Sequence, residues 1–123
     1  MTTKPTAAPK NTIYLIDDDG SFRESLKNAL TLAGFDVITF ANASDFLSAP
    51  RVKRAVVVCD MRMPMLNGLD VQDTNKKQGY DHPLLFVSGE STVGQAVSAL
   101  KNGAVDFFTK PFDPAELIKK IEV

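Results

Sequence analysis

Five short apolar runs alternate along the chain with longer, more polar segments. The runs lie at residues 12–16, 36–40, 55–59, 83–87 and 106–109. The run at 55–59, A-V-V-V-C, shows no polar alternation and is rich in β-branched valine, which is typical of a strand buried on both faces of a sheet. Strands that alternate with helices form a parallel sheet covered by helices on both faces. The pattern therefore predicts an α/β protein of (βα)5 architecture.

Residues that cap or stop helices bound the intervening segments. The first helix is predicted to open at Gly20-Ser21 and to close at Gly34, because Phe22, Leu26 and Leu30 repeat at helical spacing between them. A second helix is predicted from the Asn42 cap to residue 47, and a third from Asn67-Gly68 to about Gln78. A fourth is predicted from about Val93 to Asn102-Gly103, with Ala96, Val97 and Leu100 buried. The fifth is predicted to run from the Asp113-Pro114 cap, with Glu116 as the capping-box acid, into the C-terminus.

The composition indicates a single globular domain. Of the 123 residues 44% are hydrophobic and 24% charged, and the net charge of −1 gives no electrostatic footprint for nucleic acid. The sole cysteine, Cys59, excludes an internal disulfide, and neither a membrane-length apolar run nor a signal peptide is present, so we expect a cytoplasmic protein with no membrane contact. Residues 1–11 lack an apolar period and are predicted to be a disordered lead-in to a domain at 12–123.

Polar side chains that can carry chemistry follow four of the five predicted strands. They are Asp17 and Asp18 after the first, Asp60 after the third, Ser88 after the fourth and Lys110 after the fifth. Because the carboxyl ends of parallel strands share one edge of the sheet, these side chains are expected to converge there. Three neighbouring carboxylates call for a cation, Mg²⁺ suits such oxygen ligands, and a lysine with a hydroxyl can bind a phosphoryl group. The residues therefore suggest phosphoryl transfer onto or off an aspartate.

Four motifs that include these residues resemble the receiver domain of two-component response regulators. In chain order they read I-D-D-D, V-V-C-D-M-R-M-P, F-V-S-G-E and F-F-T-K-P-F, and the resemblance covers residue 12 to about 123. The longer stretch G-A-V-D-F-F-T-K-P-F is similar to the LuxR/FixJ-like subgroup. This resemblance implies a flavodoxin-like fold with strand order 2-1-3-4-5.

The resemblance also implies a role for each matching position. Asp60 would be the phosphoacceptor, Ser88 and Lys110 would bind phosphoryl oxygens, and Phe107 would be the aromatic switch residue. The implied Mg²⁺ ligands are Asp18 directly, Asp17 mostly through a metal-bound water, Asp60, and the backbone carbonyl of Arg62. The side chains of Arg62 and Glu90 would stand at the rim and affect the lifetime of the phosphorylated form, and the Lys110-Pro111 bond would be cis.

As a function, the resemblance implies a signalling switch. A sensor histidine kinase would supply the phosphoryl group, and the domain would catalyse only its own phosphorylation and dephosphorylation, so it is not expected to be a turnover enzyme. Phosphorylation would shift a protein-interaction surface at the fourth helix and fifth strand, could support a homodimer, and would control a DNA-binding output domain absent from these residues.

Three alternatives come from other functional classes. A haloacid-dehalogenase-like phosphatase also uses an aspartate at a strand end, but it needs a second aspartate two residues on, where this chain has Arg62. A degenerate receiver that serves only for docking is disfavoured by the intact acidic set. A flavin-binding flavodoxin-like domain would need a Ser/Thr-rich phosphate loop after the first strand, and none follows.

Several other residues are expected to play no part in this chemistry. Asp19 is interpreted as a solvated loop acid, His82 as solvent-exposed, and Cys59 as a small buried apolar residue. Two positions depart from the receiver pattern. Asn75 replaces a large apolar residue, which predicts weaker docking of the third helix, and Gly94 replaces a proline at the start of the fourth helix, where glycine weakens helix initiation.

Overall fold

The computed structural model describes residues 12–89 and 93–122, in which strands and helices alternate. The strands are β1 (Thr12–Ile16), β2 (Asp36–Phe40), β3 (Ala55–Asp60), β4 (Leu84–Ser88) and β5 (Asp106–Thr109). The helices are α1 (Gly20–Leu32), α2 (Ala43–Ser48), α3 (Gly68–Lys77), α4 (Val93–Lys101) and α5 (Pro114–Glu122). The predicted lead-in at 1–11 and the predicted rim residue Glu90 lie outside the described residues.

The five strands form one parallel sheet in the order β2-β1-β3-β4-β5. In its register Ile16 pairs with both Phe40 and Cys59, Asp60 with Val87, and Ser88 with Thr109, so the carboxyl ends of the strands are level. The predicted (βα)5 architecture and strand order are thus confirmed. Only β3 and β4 differ from the predicted bounds, by a single residue at their ends.

Two apolar clusters flank the sheet, and β1 shows why. Its alternate residues Ile13 and Leu15 face the cluster built with α1 and α5, whereas Tyr14 and Ile16 face the cluster built with α2, α3 and α4. All four side chains are buried, as expected for a central strand covered on both sides. Among the described residues, no helix has the length and apolar character of a membrane span.

Side-chain caps set the helix starts close to the carboxyl edge of the sheet. Asp19 caps α1 by accepting hydrogen bonds from the backbone N–H groups of Ser21 and Phe22, which gives this exposed acid a structural role as well. Asn67 and Asp70 form a reciprocal capping box at the start of α3. Gly34 ends α1 with a φ of 101°, the left-handed conformation that glycine adopts without strain.

The buried face of α4 differs from the predicted one. Ala96 is buried as expected, but its buried companion is Ala99, whereas Val97 is 43% exposed and Leu100 36% exposed. Ala96 and Ala99, three residues apart, thus lie on the inward face of α4, and the larger side chains of Val97 and Leu100 lie at the solvent boundary. The prediction that Val97 and Leu100 are buried is therefore wrong, because an apolar residue on a surface helix can lie outside its buried face.

The prediction that His82 is solvent-exposed is also wrong, since it is only 4% exposed. Its Nε2 lies 2.8 Å from the carbonyl oxygen of Val52, an acceptor, so Nε2 is the protonated nitrogen. In the neutral ring Nδ1 then accepts a hydrogen bond from Nδ2 of Asn75 at 3.3 Å. Asn75, on α3, is itself only 1% exposed. Its amide is therefore buried against the ring of His82, seven positions further along the chain.

Candidate functional site

The carboxylates of Asp17, Asp18 and Asp60 converge at the carboxyl edge of the sheet, where one oxygen of each lies within 4.8 Å of the others. Asp17 and Asp60 are buried and Asp18 is exposed. Asp60 is the last residue of β3, and Asp17 directly follows β1, the neighbouring strand. The convergence predicted from the strand ends is thus present for all three.

Hydrogen bonds to both its backbone and its side chain hold Asp17 in place. Its N–H donates to the carbonyl of Phe40, and its Oδ1 accepts from the N–H of Asp19 at 2.9 Å. The guanidinium Nη1 of Arg23 donates to the carbonyl oxygen of Asp17 at 2.7 Å. Arg23 lies on α1 four residues after the Asp19 cap, so the helix itself fixes the loop that carries Asp17 and Asp18.

Lys110 brings the positive charge of the site. Its Nζ lies 3.0 Å from Oδ2 of Asp17 and 3.6 Å from Oδ2 of Asp60, and its backbone N–H donates to the carbonyl of Ser88. The following Lys110-Pro111 bond is cis, as predicted. Nζ also lies 4.1 Å from the ring centroid of Phe22, a contact across more than eighty residues that sequence reasoning missed. The only sign of it in the sequence is an aromatic residue in the first turn after the acidic triplet.

The pKa values of the site follow from burial and crowding. Burial and the neighbouring charge of Asp17 raise the pKa of Asp60 to about 6, although Lys110 and the backbone N–H of Arg62 favour its ionised form. Burial lowers the pKa of Lys110, but the hydrogen bond and charge of Asp17, together with the charge of Asp60, outweigh it and raise that pKa overall. The site therefore carries more negative charge than its single lysine balances.

Ser88 ends β4, directly after Val87, the residue that pairs with Asp60, and it is fully buried. Its hydroxyl oxygen has no hydrogen-bond partner within residues 12–89 and 93–122. A buried hydroxyl without a partner is unfavourable in a folded protein, so this group is available to bind a water or a ligand. Phe107, on the neighbouring strand β5, is half-buried and packs against the cluster on the α4 side of the sheet.

The loop from β3 to α3 is held close to the site by Gly68. Its N–H donates to the carbonyl of Met61 at 2.8 Å, and a Cβ at this position would lie 2.7 Å from the ring of Phe86 and 2.9 Å from the sulfur of Met61. Only glycine fits there without displacing its neighbours. Within this loop the N–H of Arg62 donates to Oδ1 of Asp60 at 3.3 Å, so the loop orients the carboxylate.

Cys59 and the nearby methionines take structural positions. Cys59 is buried, as predicted, and burial with the charges of Asp60 and Asp17 raises the pKa of its thiol well above the ordinary value, so it stays a neutral thiol. Met61 and Met63 are buried in the core, whereas Met65 is exposed with a left-handed φ of 71°. Met65 forms part of a groove of about 630 Å³ that reaches Asp18.

Comparison with protein families identifies the family to which the chain belongs. Residues 13–122 match the family described as the response regulator receiver domain. The chain belongs to this receiver domain family. The predicted resemblance is therefore confirmed, and receiving a phosphoryl group from a sensor histidine kinase in a two-component system is the function of the family. Membership of this family favours the receiver domain over the phosphatase and the flavin-binding domain.

Relatives of this receiver domain are longer proteins. The chain is 43% identical over 110 residues to the response regulator protein TodT of Pseudomonas putida, covering 89% of this chain and 48% of TodT. It is 44% identical over 114 residues to the transcriptional regulatory protein FixJ of Bradyrhizobium diazoefficiens, covering 92% of this chain and 56% of FixJ. The chain thus spans about half the length of the curated relatives that it matches.

Solved receiver structures share the fold. The crystal structure of FixJ-N superposes with a TM-score of 0.85 at 36% identity, covering 93% of this chain and 92% of that one. Full-length FixJ from B. japonicum gives a TM-score of 0.87 at 43% identity, covering 94% of this chain and 57% of that one. These similarities support the predicted FixJ-like subgroup and the flavodoxin-like fold class.

Proposed function

We propose that a sensor histidine kinase phosphorylates this receiver domain on Asp60, with Mg²⁺ as cofactor, in the cytoplasm. The observation that carries the proposal is the environment of Asp60, a buried carboxylate next to two others and 3.6 Å from Lys110. Its pKa is raised to about 6, so it is largely ionised at neutral pH and able to act as a nucleophile. A purely structural acid would be expected to have satisfied or solvated surroundings.

The residues present fit a magnesium ion. Carboxylate oxygens are the ligands that Mg²⁺ prefers, and the three carboxylates carry uncompensated negative charge. Asp18 and Asp60 would bind the ion directly, the backbone carbonyl of Arg62 would add a ligand, and Asp17 would act mostly through a bound water. The ion would supply positive charge for the oxygens of the incoming phosphoryl group.

The transfer itself is proposed to use this chain's own side chains in separate roles. A carboxylate oxygen of Asp60 attacks phosphorus, an O–P bond forms, and the N–P bond of the donor phosphohistidine breaks, which leaves the phosphoryl group on Asp60 and the imidazole on the kinase. Lys110 neutralises one phosphoryl oxygen, and the Ser88 hydroxyl donates a hydrogen bond to another. The domain in this way catalyses its own phosphorylation and, when water replaces the donor, its own dephosphorylation.

Phosphorylation is proposed to change the conformation of the α4–β5 surface through movements of Ser88 and Phe107. When the hydroxyl of Ser88 moves to the phosphoryl group, it vacates space on the α4 side, and the ring of Phe107 turns inward. The surface formed by α4 and β5 then changes its interactions, including a phosphorylation-dependent homodimer. Because the relative FixJ is named a transcriptional regulatory protein, we propose a DNA-binding output domain as the target of this surface.

Incubation with phosphoramidate and Mg²⁺, followed by intact mass measurement, tests the proposal. We expect wild type to gain the mass of one phosphoryl group and Asp60→Asn to gain none, since an amide is a far poorer nucleophile. Asp81→Asn, which changes an exposed acid on the α3–β4 loop, is the matched control and should behave as wild type. Phosphorylation of Asp60→Asn at the wild-type rate would refute the assignment.

Arg62 and Glu90 are proposed to control how long the phosphoryl group stays. Each stands two residues beyond a proposed site residue, Asp60 or Ser88. Removing either side chain would change the access of an attacking water, so Arg62→Ala and Glu90→Ala are each expected to change the lifetime several-fold with little effect on folding. Decay after donor removal measures this, with Lys77→Ala, which lies on the exposed face of α3, as control. Lifetimes equal to wild type in both variants would make these residues bystanders.

A further inference from the structure

We propose that Phe22 is a positioning residue for phosphoryl transfer, since its ring holds the ammonium group of Lys110 over the acceptor site. The Nζ atom of Lys110 lies 4.1 Å from the centroid of the Phe22 ring and 3.6 Å from the Asp60 carboxylate. The inference rests on the proposed function, because it takes Lys110 to neutralise a phosphoryl oxygen.

Lys110 needs such a restraint because its nearest carboxylate is not the acceptor. Its Nζ lies 3.0 Å from Asp17, closer than the 3.6 Å to Asp60. A lysine side chain has several freely rotating bonds and loses conformational entropy when it is fixed. Asp17 draws the ammonium towards the proposed metal ligands, and the ring of Phe22 provides an attractive surface that confines its motion on another side.

The contact lies in surroundings where a cation–π interaction is effective. The Lys110 side chain is only 25% exposed, so water competes weakly for the ammonium. The face of an aromatic ring carries negative electrostatic potential, and its attraction for a cation grows as both lose water. An aliphatic side chain at position 22 could fill the same space but would offer no such potential.

Phe22 is itself held in place from two directions. Its backbone N–H donates to the Asp19 cap in the first turn of α1, and its ring meets that of Phe112 edge-on at 5.9 Å. Phe112 in turn contacts Phe108 on β5 at 5.5 Å. The three rings link α1, β5 and the segment after Lys110, which fixes the ring of Phe22 relative to the lysine.

Graded fluorination of the ring separates this role from packing. Replacing Phe22 by mono-, di- and trifluorophenylalanine weakens the ring's negative face stepwise at nearly constant shape. We expect the rate of phosphorylation by phosphoramidate to fall along the series, and Phe22→Leu to be about two- to fivefold slower than wild type, the range of a partly exposed cation–π contact. Phe22→Tyr should retain the wild-type rate. A small-molecule donor is used so that docking of a kinase plays no part.

Proton NMR supplies a second readout that needs no phosphorylation. A ring over Nζ should displace the ε-methylene protons of Lys110 upfield. This effect should be lost in Phe22→Leu and retained in Phe35→Leu, which removes a ring of the same core cluster outside the Phe22–Phe112–Phe108 series. Thermal melting of each variant checks that it is folded.

The outcomes distinguish the inference from the proposed function. A rate that falls with fluorination, together with the ring-current shift, supports the inference. Equal rates across the fluorinated series, or an unshifted Lys110 in wild type, would overturn it while leaving phosphorylation of Asp60 intact. Failure of wild type to take up a phosphoryl group would instead refute the proposed function, and the claim for Phe22 with it.

Discussion

The two ends of the sheet both bury polar side chains, but in opposite states. At the carboxyl end, Asp17 and Asp60 are buried close to one another as like charges, and the hydroxyl of Ser88 has no partner in the described part of the chain. At the amino end, the buried Tyr14 and His82 are both hydrogen-bonded to a backbone group of another segment. At the end where chemistry is proposed, buried polar groups thus carry like charges or lack a hydrogen-bond partner. At the other end, buried polar side chains form hydrogen bonds that connect separate segments of the chain.

The amino-end cluster consists of Tyr14, Arg51, Tyr80 and His82 around the backbone of Val52. The N–H of Val52 donates to the Tyr14 hydroxyl and its carbonyl accepts from His82, each at 2.8 Å. Tyr80 stacks on His82 with centroids 4.9 Å apart, and the guanidinium of Arg51 lies 4.4 Å from the Tyr80 ring. These contacts tie the loops before β3 and β4 to β1.

Hydrogen bonding of the buried polar groups at the amino end of the sheet is not complete. Oδ1 of Asn75 and Nε of Arg51 have no hydrogen-bond partner among the residues that the structure describes. Asn75 still donates to His82 through its amide nitrogen, and Arg51 still bonds to the carbonyl of Phe46 through Nη1. The contrast between the two ends therefore concerns buried charge above all, because the carboxyl end buries two carboxylates, Asp17 and Asp60, close to one another.

The largest effect on stability is expected from breaking the amino-end cluster. His82→Ala removes a buried ring and leaves the carbonyl of Val52 and the amide of Asn75 unpaired, so we expect a loss of about 3 kcal/mol in the free energy of unfolding. Urea denaturation measures this loss. Phosphorylation by phosphoramidate, assayed under conditions where the variant is folded, should keep its wild-type rate, and a slower rate would show that the two ends are coupled.

A change of opposite sign is expected at the carboxyl end. Asp60 has its pKa raised from 3.8 to about 6, so between these values the folded protein binds more protons than the unfolded chain, and stability falls as pH rises. Above pH 6 the ionised carboxylate costs on the order of 3 kcal/mol. Without divalent metal at pH 7, Asp60→Asn should therefore be more stable than wild type by about 2 kcal/mol.

The pH dependence gives this prediction its control. In chelator, the gain in Asp60→Asn should shrink as pH is lowered from about 6 to about 4, where wild-type Asp60 becomes protonated. Added Mg²⁺ should stabilise wild type more than the variant, because the ion binds a carboxylate better than an amide. A variant less stable than wild type at pH 7 in chelator would contradict the view that charge is in excess here.

The smallest effect is expected from Tyr14→Phe. The substitution removes only the hydroxyl that accepts from the N–H of Val52 and leaves the ring packed against Phe46 and His82, so we expect a loss of about 1 kcal/mol. Thermal or urea unfolding measures it, with Tyr80→Phe as the matched control, since the Tyr80 hydroxyl makes a longer 3.4 Å bond and is expected to matter less. No measurable loss in Tyr14→Phe would instead place the stabilisation in the packing of its ring, which the substitution keeps.

The sequence alone placed the strands and the residues at their carboxyl ends. Apolar runs with the length of a strand, separated by capped helices, permit few arrangements, and a parallel sheet brings all carboxyl ends to one edge. For this reason Asp17, Asp18, Asp60 and Lys110 were predicted to converge although up to ninety-three positions separate them. Their relation depends on topology, which the hydrophobic pattern encodes.

Contacts that depend on the packing of particular side chains could not be read in this way. His82 is buried where Val52 and Asn75 offer it hydrogen-bond partners, and α4 turns Ala96 and Ala99 inward. Phe22 meets Lys110 because α1 and the segment after β5 are in contact. The pattern of apolar and polar residues determines where a strand ends, because side-chain burial follows a regular period along the backbone. Which distant side chain fills a given space is decided only when the elements pack, because packing depends on volumes and hydrogen-bond partners contributed by several segments at once.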